Sequence, residues 1–395
     1  MSEYQYYEFR AVDRPLDKGE MAELRALSTR ATITPTSFVN EYHWGDFKGN
    51  PPTLMERYFD AFLYFANWGT HRFMLRLPRA LLDLETATLY CSCEAVTAWE
   101  KGDYVILEFR SEDESGDWYE DEEGSLSSLI PLRAEIASGD LRSLYLGWLL
   151  CAQNGEMDED DREPPVPPGL GDLSASLRAF ADFLRVDSDL IEVAAQGSAS
   201  ASTAGPLAAD LQSWIAALPD SEKNELLLRL AGGSDPHLRA ELLQRFRSAS
   251  TSAGITKEDA LEGRRTVGEL LASAEARAAA RQREIAEREA RERARRQREQ
   301  AAARAKYLDT LAPRKEELWN QVEAYIETKR PKEYEEAVRL LKDLRDLEAG
   351  MAGTGEFEAR LGQLRDRHAK KPSLIERLDR AGLVTRSGAA SRVSH

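Results

Sequence analysis

Two short stretches hold residue types that could do chemistry together. Glu41-Tyr42-His43-Trp44-Gly45-Asp46 sets a histidine between two carboxylates and beside an indole, and Trp68-Gly69-Thr70-His71 adds a second histidine and a second tryptophan. Two imidazoles with two carboxylates are the raw material of a metal site or an acid/base pair. Their spacing fits no metal-ligand pattern, and indoles are more often core or interface residues than parts of a ligand cage. Glu41, His43, Trp44, Asp46, Trp68 and His71 are therefore a candidate pocket, weighed against the plainer reading of structural or surface histidines. Cys91-Ser92-Cys93 offers two thiols, but a tetrahedral zinc needs a second pair and only Cys151 remains. Three cysteines are an odd number, which argues against a disulfide scaffold and for a reducing compartment, with the thiols as small buried residues. No serine lies in a Gly-x-Ser-x-Gly setting and no glycine-rich phosphate loop follows a strand. The sequence thus assigns no catalytic residue, no metal and no cofactor.

The strongest functional lead lies elsewhere, in a stretch from Arg264 to about Tyr307. Between Arg281 and Lys306 there are ten basic and five acidic residues, and Ile285 is the only large aliphatic. Such a segment cannot bury itself, yet Ala, Arg, Glu and Gln are strong helix formers. Glu284–Arg288, Glu287–Arg291, Glu289–Arg293 and Glu292–Arg296 stand four apart with the acid first, the favourable orientation on a helix. The spacing predicts one long solvated helix over 264–310, on the order of 60–70 Å at about 1.5 Å per residue. Arg291, Arg293, Arg295, Arg296 and Arg298 would form a local basic face able to grip phosphates or an acidic partner. The interleaved glutamates favour a spacer instead. No aromatic residue lies between Arg264 and Lys306, which weakens any single-stranded nucleic-acid reading.

The rest of the chain must position these groups. Its formal net charge of −16 is unevenly spread, with 23 Lys+Arg against 46 Asp+Glu in residues 1–263 and 30 against 23 in residues 264–395. An acidic front and a basic rear can attract each other or sort different partners. Residues 1–195 read as an acidic α+β domain: a strand over Tyr4–Val12, a helix capped by Asp17, and a strand over Thr29–Val39 broken at Pro35. A helix follows from Pro51 with Leu54, Tyr58, Phe59 and Phe62 inward, then a strand over Arg72–Leu77 and a hairpin about Glu100-Lys101-Gly102. The apolar helix Leu141–Cys151 should be central to the core, and Leu173–Ala195 the domain's last helical stretch. Glu112–Glu123 and Glu156–Glu163 read as solvated acidic loops, since neither has the spacing of a calcium loop.

Residues 196–205 read as a flexible linker. Helices over 206–248 should then pair Leu211, Trp214, Ile215 and Leu218 with Leu226, Leu227 and Leu230. Past the long helix, 313–382 reads as helical hairpins, with Leu318, Val322, Tyr325 and Ile326 on one face and Tyr334, Val338, Leu341, Leu344 and Leu347 on another. Residues 383–395 read as a disordered tail. The start of the chain is neither basic nor apolar, and the longest apolar run, Leu144–Ala152, is too short for a bilayer, so a cytoplasmic protein with no membrane contact is expected.

Phe-Val-Asn-Glu-Tyr-His-Trp-Gly-Asp-Phe-Lys-Gly (38–49), preceded by Tyr-Tyr-Glu-Phe-Arg-Ala-Val-Asp-Arg-Pro-Leu (6–16), resembles the start of a family of uncharacterised bacterial proteins over roughly the first 190 residues. The resemblance implies a bacterial cytoplasmic origin and no particular activity. Leu-Leu-Lys-Asp-Leu-Arg-Asp-Leu (340–347) and Lys-Pro-Ser-Leu-Ile-Glu-Arg-Leu (371–378) are similar to helical tails on some bacterial SWIM zinc-finger proteins, whose Cys-x-Cys…Cys-x-His ligands are not present here. The expectation is a non-enzymatic adaptor that binds protein partners through both ends. A nucleic-acid-associated accessory role, within a bacterial defence assembly, is the first rival. A metal-dependent enzyme centred on His43 and His71 is the second.

Overall fold

The computed structural model describes residues 3–91, 93–113, 126–200, 208–232, 237–251, 264–350 and 355–384. The chain divides into two compact units, Met1–Arg281 and Gln282–His395. The division falls inside the long helix, not at its start.

The first unit is α+β. Strand β1 (Gln5–Arg10) is followed by helix α1 (Lys18–Leu27), then β2 (Thr32–Thr34) and β3 (Ser37–Tyr42), helix α2 (Pro51–Arg57), and β4 (Ala61–Ala66) and β5 (Thr70–Pro78). A short α3 (Leu84–Thr88) leads to the hairpin β6 (Val96–Lys101) and β7 (Tyr104–Glu112), turned at Gly102, whose φ of +59° suits glycine. The seven strands form one antiparallel sheet in the order β2-β3-β1-β4-β5-β7-β6. Asp17 caps α1 through a capping box with Glu20.

Both faces of the sheet are buried, and β4 shows it best. Ala61, Leu63 and Phe65 join one core cluster, while Phe62, Tyr64 and Ala66 join the other. The expected helix from Pro51 through Phe62 is corrected here: it stops at Arg57, and Phe62 belongs to a strand. A short run that is apolar at every position has neither helical nor strand period, so its type cannot be read from pattern alone. On one face lie α1, α2, Phe47 and Phe59. The other is covered by α4 (Leu126–Leu129), α5 (Pro131–Ala137), α6 (Arg142–Gln153), α7 (Ala175–Leu184) and α8 (Ser188–Ala195). Every residue of α6 from Ser143 to Ala152 is buried, and Gly147 lets the helix approach the sheet: a Cβ there would meet the Phe109 ring at 2.8 Å. The single helical stretch expected over 173–195 is two helices, broken where Arg185 takes a left-handed conformation with φ of +60°.

The cysteine reading is also corrected. Cys93, ahead of β6, is disulfide-bonded to Cys151 on α6, with Cα atoms 5.9 Å apart, and Cys91 is the free thiol. An odd count excludes only the pairing of all three, so the argument for a reducing compartment loses its support. Nor is Gln196–Gly205 uniformly loose. Ser198 Oγ donates to the Pro167 carbonyl and accepts from the Leu170 amide, while the second half of that segment lies outside the described residues.

Helices α9 (Ala208–Ala217), α10 (Asp220–Gly232) and α11 (Leu238–Thr251) follow. Trp214 packs edge-on against Phe246 with ring centroids 5.7 Å apart. The expected burial of Leu227 and Leu230 is not found: Leu227, Leu228 and Leu230 are 61%, 74% and 67% exposed.

Helix α12 runs from Val267 to Leu311, and its residues from Gln282 onward belong to the second unit. That unit continues with α13 (Lys315–Glu327), α14 (Pro331–Gly350), α15 (Glu356–Arg367) and α16 (Pro372–Arg380). Leu318, Val322 and Ile326 of α13 meet Tyr334, Leu341 and Leu344 of α14 in one core, closed by Leu361, Leu374 and Leu378. Leu383, expected in the tail, is buried in the same core, and its carbonyl accepts from Arg365; Val384 is exposed, and residues 385–395 lie outside the described residues.

Candidate functional site

The arginine-rich helix is built from a firmly held start. Thr266 and Glu269 form a capping box: the Glu269 amide donates to Thr266 Oγ1 at 3.2 Å and the Thr266 amide to Glu269 Oε2 at 2.9 Å. Val267, Leu270 and Ala274, three, then four residues apart, present one apolar stripe that is buried in the first unit's main core. Beneath them the acidic loop is solvated at Glu156 and at Asp158–Asp161, as expected, while its backbone and Glu163 anchor the helix. The Val267 and Gly268 amides donate to the Asp161 and Glu159 carbonyls, each at 3.0 Å. Glu163, only 2% exposed, accepts both arms of Arg265 at 2.7 and 2.9 Å and a short hydrogen bond from Tyr145. The same guanidinium donates to the Val193 and Ala194 carbonyls, satisfying the end of α8. One turn further, the buried Asp189 receives Arg281 at 2.7 Å and Arg277 at 3.4 Å.

From residue 280 to residue 303 every side chain is exposed. Arg291 pairs with Glu287 at 3.4 Å, Arg293 with Glu289 at 3.9 Å, Arg296 with Glu292 at 3.5 Å, and Arg295 with Glu292 and Glu299 at 3.3 and 3.6 Å. Exposed pairs of this kind contribute about 0.3–0.5 kcal/mol each, so they bias the helix without fixing it. The five expected arginines therefore line one segment, but four of them already face a carboxylate that a phosphate would have to displace. Past this segment Arg304 reaches Asp343 at 2.6 Å and Asp346 at 2.8 Å, and Tyr307 donates to Asp343 at 3.1 Å, which fixes the helix within the second unit.

The histidine cluster does not assemble. His71 on β5 is opposite Phe65, which is opposite Tyr6, which is opposite Glu41. Three strand spacings of about 4.8 Å separate the backbones of His71 and Glu41. His43 is exposed beyond the end of β3, its ring tilted against Tyr4 with centroids 5.4 Å apart, while Trp44 is 69% exposed with Arg30 over its ring at 6.0 Å. Asp46 accepts from Gln5 Nε2 at 3.2 Å, and Trp68 is 45% exposed. No group of three or more histidine, cysteine or acidic side chains among the described residues could hold a metal ion.

His71 has a different task. It is 4% exposed and stacks on Phe183 with centroids 4.6 Å apart. Arg185 can only donate, so its contact to Nε2 at 3.1 Å makes that nitrogen the acceptor, and Nδ1 carries the proton it gives to the Phe183 carbonyl at 2.7 Å. Burial, reinforced by the Arg185 charge, pushes the imidazole down to about 4. The folded state therefore binds this proton less readily than the unfolded chain. Stability is full above the unfolded value near 6.5 and falls as pH drops toward 4, by about 3 kcal/mol in all at roughly 1.4 kcal/mol per unit. Urea melts between pH 7 and 4 should show that slope, and His71→Gln should flatten it; an unchanged slope in the variant would reject the assignment.

Sequence reasoning missed one further constellation. Asp60, fully buried, accepts Arg76 Nη2 at 2.8 Å and Nε at 3.1 Å on one oxygen, and the Val12 and Asp13 amides at 2.7 and 3.0 Å on the other. Arg133 donates to the Arg76 carbonyl and forks onto Asp13, which also meets His237 at 3.1 Å. Burial pushes the Asp13 carboxyl up, but Arg133 and His237 outweigh it and hold it below its ordinary value. These partners are far apart in sequence, so only the weak signal of isolated charges in apolar segments marks them. Compared with known proteins, the chain matches no family, no curated protein and no solved structure.

Proposed function

We propose that the chain is a non-enzymatic adaptor, a subunit of a bacterial complex that binds different protein partners through its two compact units. The observation that carries this reading is the exposed stretch of α12 from residue 280 to residue 303. A helix without tertiary packing is marginal in water. This one is held by Arg265, Val267 and Leu270 in the first unit and by Arg304 and Tyr307 in the second. A chain that maintains so long a solvated helix gains a connector, and two compact units supply two binding surfaces. The exposed Leu227, Leu228 and Leu230 of α10 add apolar surface of the kind that protein interfaces cover. No helix among the described residues is long and apolar enough to cross a membrane.

The nucleic-acid reading keeps one specific support, because Arg291, Arg293, Arg295 and Arg296 are between 67% and 83% exposed. Their glutamate partners offset the charge of these four arginines, which favours the adaptor. Partner capture by residues 1–281 and residues 282–395, expressed apart and compared with the intact chain, tests the adaptor reading.

A further inference from the structure

A cleft of about 770 Å³ opens beside the lead-in to β6, lined by Cys91, Cys93, Glu94, Thr97 and Glu156 among others. It contains the free thiol and one half of the disulfide. The two disulfide sulfurs are not equally reachable. Cys93 is half-buried on the cleft wall, whereas Cys151 is 0% exposed within α6. Thiol–disulfide exchange begins with a thiolate attacking one sulfur and expelling the other. Access alone makes Cys93 the attacked atom and Cys151 the leaving group. Cys91 does not compete, because burial pushes its thiol up to about 12 and only a thiolate attacks.

Charge then selects the reagent. Glu94 and Glu156 line the cleft, the latter accepting from the Ala95 amide at 3.2 Å, and none of the described lining residues is basic. A thiol carrying further carboxylates is repelled there, while one carrying an ammonium group is drawn in.

We propose that this cleft is a thiol-exchange site at which Cys93 accepts a small cationic aminothiol. The incoming thiolate bonds to Cys93 Sγ as the Cys93–Cys151 bond breaks. The electron pair of that bond stays on Cys151 Sγ, which takes a proton from solvent. A second aminothiol thiolate attacks the outer sulfur of the adduct, leaving as the symmetrical disulfide and releasing the Cys93 thiolate, which is then protonated. Two thiols supply the two electrons. The covalent tie between the lead-in to β6 and α6 is thereby released, while β6 remains paired with β7.

The native full-length chain is treated with cysteamine or with glutathione at matched thiolate concentration, quenched in acid, alkylated and mapped by peptide mass spectrometry. The adduct should be on Cys93 with Cys151 alkylated. Cysteamine should react several-fold faster at low salt, and the gap should narrow at high salt and in Glu94→Gln. An adduct on Cys91 or Cys151, no reaction short of denaturation, or glutathione reacting as fast as cysteamine at low salt would overturn the proposal.

Discussion

A chain cut after Gly263 is expected to lose most of the stability of its first unit, whereas a chain cut after Arg281 keeps it. The difference is a short piece of helix that the charge pattern assigns to the connector. Removing it exposes the pocket filled by Val267, Leu270 and Ala274, which are 1%, 0% and 8% exposed. Burial of a valine or leucine side chain contributes about 1.5–3 kcal/mol. It also strips Arg265 from Glu163, and Arg277 and Arg281 from Asp189, leaving two carboxylates that are 2% and 3% exposed without their cations. Loss of the cation from the more buried Glu163–Arg265 pair costs on the order of 3–5 kcal/mol, while the Asp189 pairs, whose arginines are 42% and 56% exposed, contribute less. The sum, on the order of 5–10 kcal/mol after partial relaxation, is comparable with the whole stability of a domain at about 5–15 kcal/mol. Urea titrations of the two fragments followed by circular dichroism measure it directly. Equal midpoints would show that the start of α12 contributes nothing to this core.

Asp60→Ala should be nearly as damaging without shortening the chain. It leaves the Arg76 guanidinium, whose side chain is 6% exposed, without its carboxylate, and it orphans the Val12 and Asp13 amides. Breaking a buried pair on one side costs about 3–5 kcal/mol, which lowers the melting temperature by about 10 °C at roughly 2–4 °C per kcal/mol. The paired replacement Asp60→Leu with Arg76→Met removes both charges and should recover much of the loss, because two apolar groups need no partners. If Asp60→Ala melts within a degree or two of the parent, the ion pair is not what holds β4, β5 and α5 together.

Much of this architecture was legible in the sequence, for reasons that are local. The alternation in Tyr4–Val12 and Arg72–Leu77, the Gly102 turn, the Asp17 cap and the apolar helix before Cys151 each depend on neighbours a few residues away. The same holds for the paired faces of α13 and α14. What escaped depends on distance. Glu163 and Asp189 look like solvated acids until Arg265, Arg277 and Arg281 arrive from roughly a hundred residues downstream. Glu8, a charged residue inside β1, is 5% exposed because the sheet is covered on both faces. Residues 59–66 gave no usable period because nearly every position is apolar. The candidate pocket failed for a topological reason: two strands, β1 and β4, intervene between β3 and β5, so Glu41 and His71 share a row of the sheet without sharing a cleft.

The most direct test of the adaptor reading uses the two halves against the whole. Residues 1–281 and residues 282–395 are purified separately and alongside the intact chain, and each is used to capture partners. Each half should retain its own set, and the intact chain should co-precipitate members of one set through a tag on a member of the other. That bridging should vanish when the halves are supplied as two unlinked chains. If either half alone captures every partner, or if unlinked halves bridge as well as the intact chain, the connector has no adaptor function.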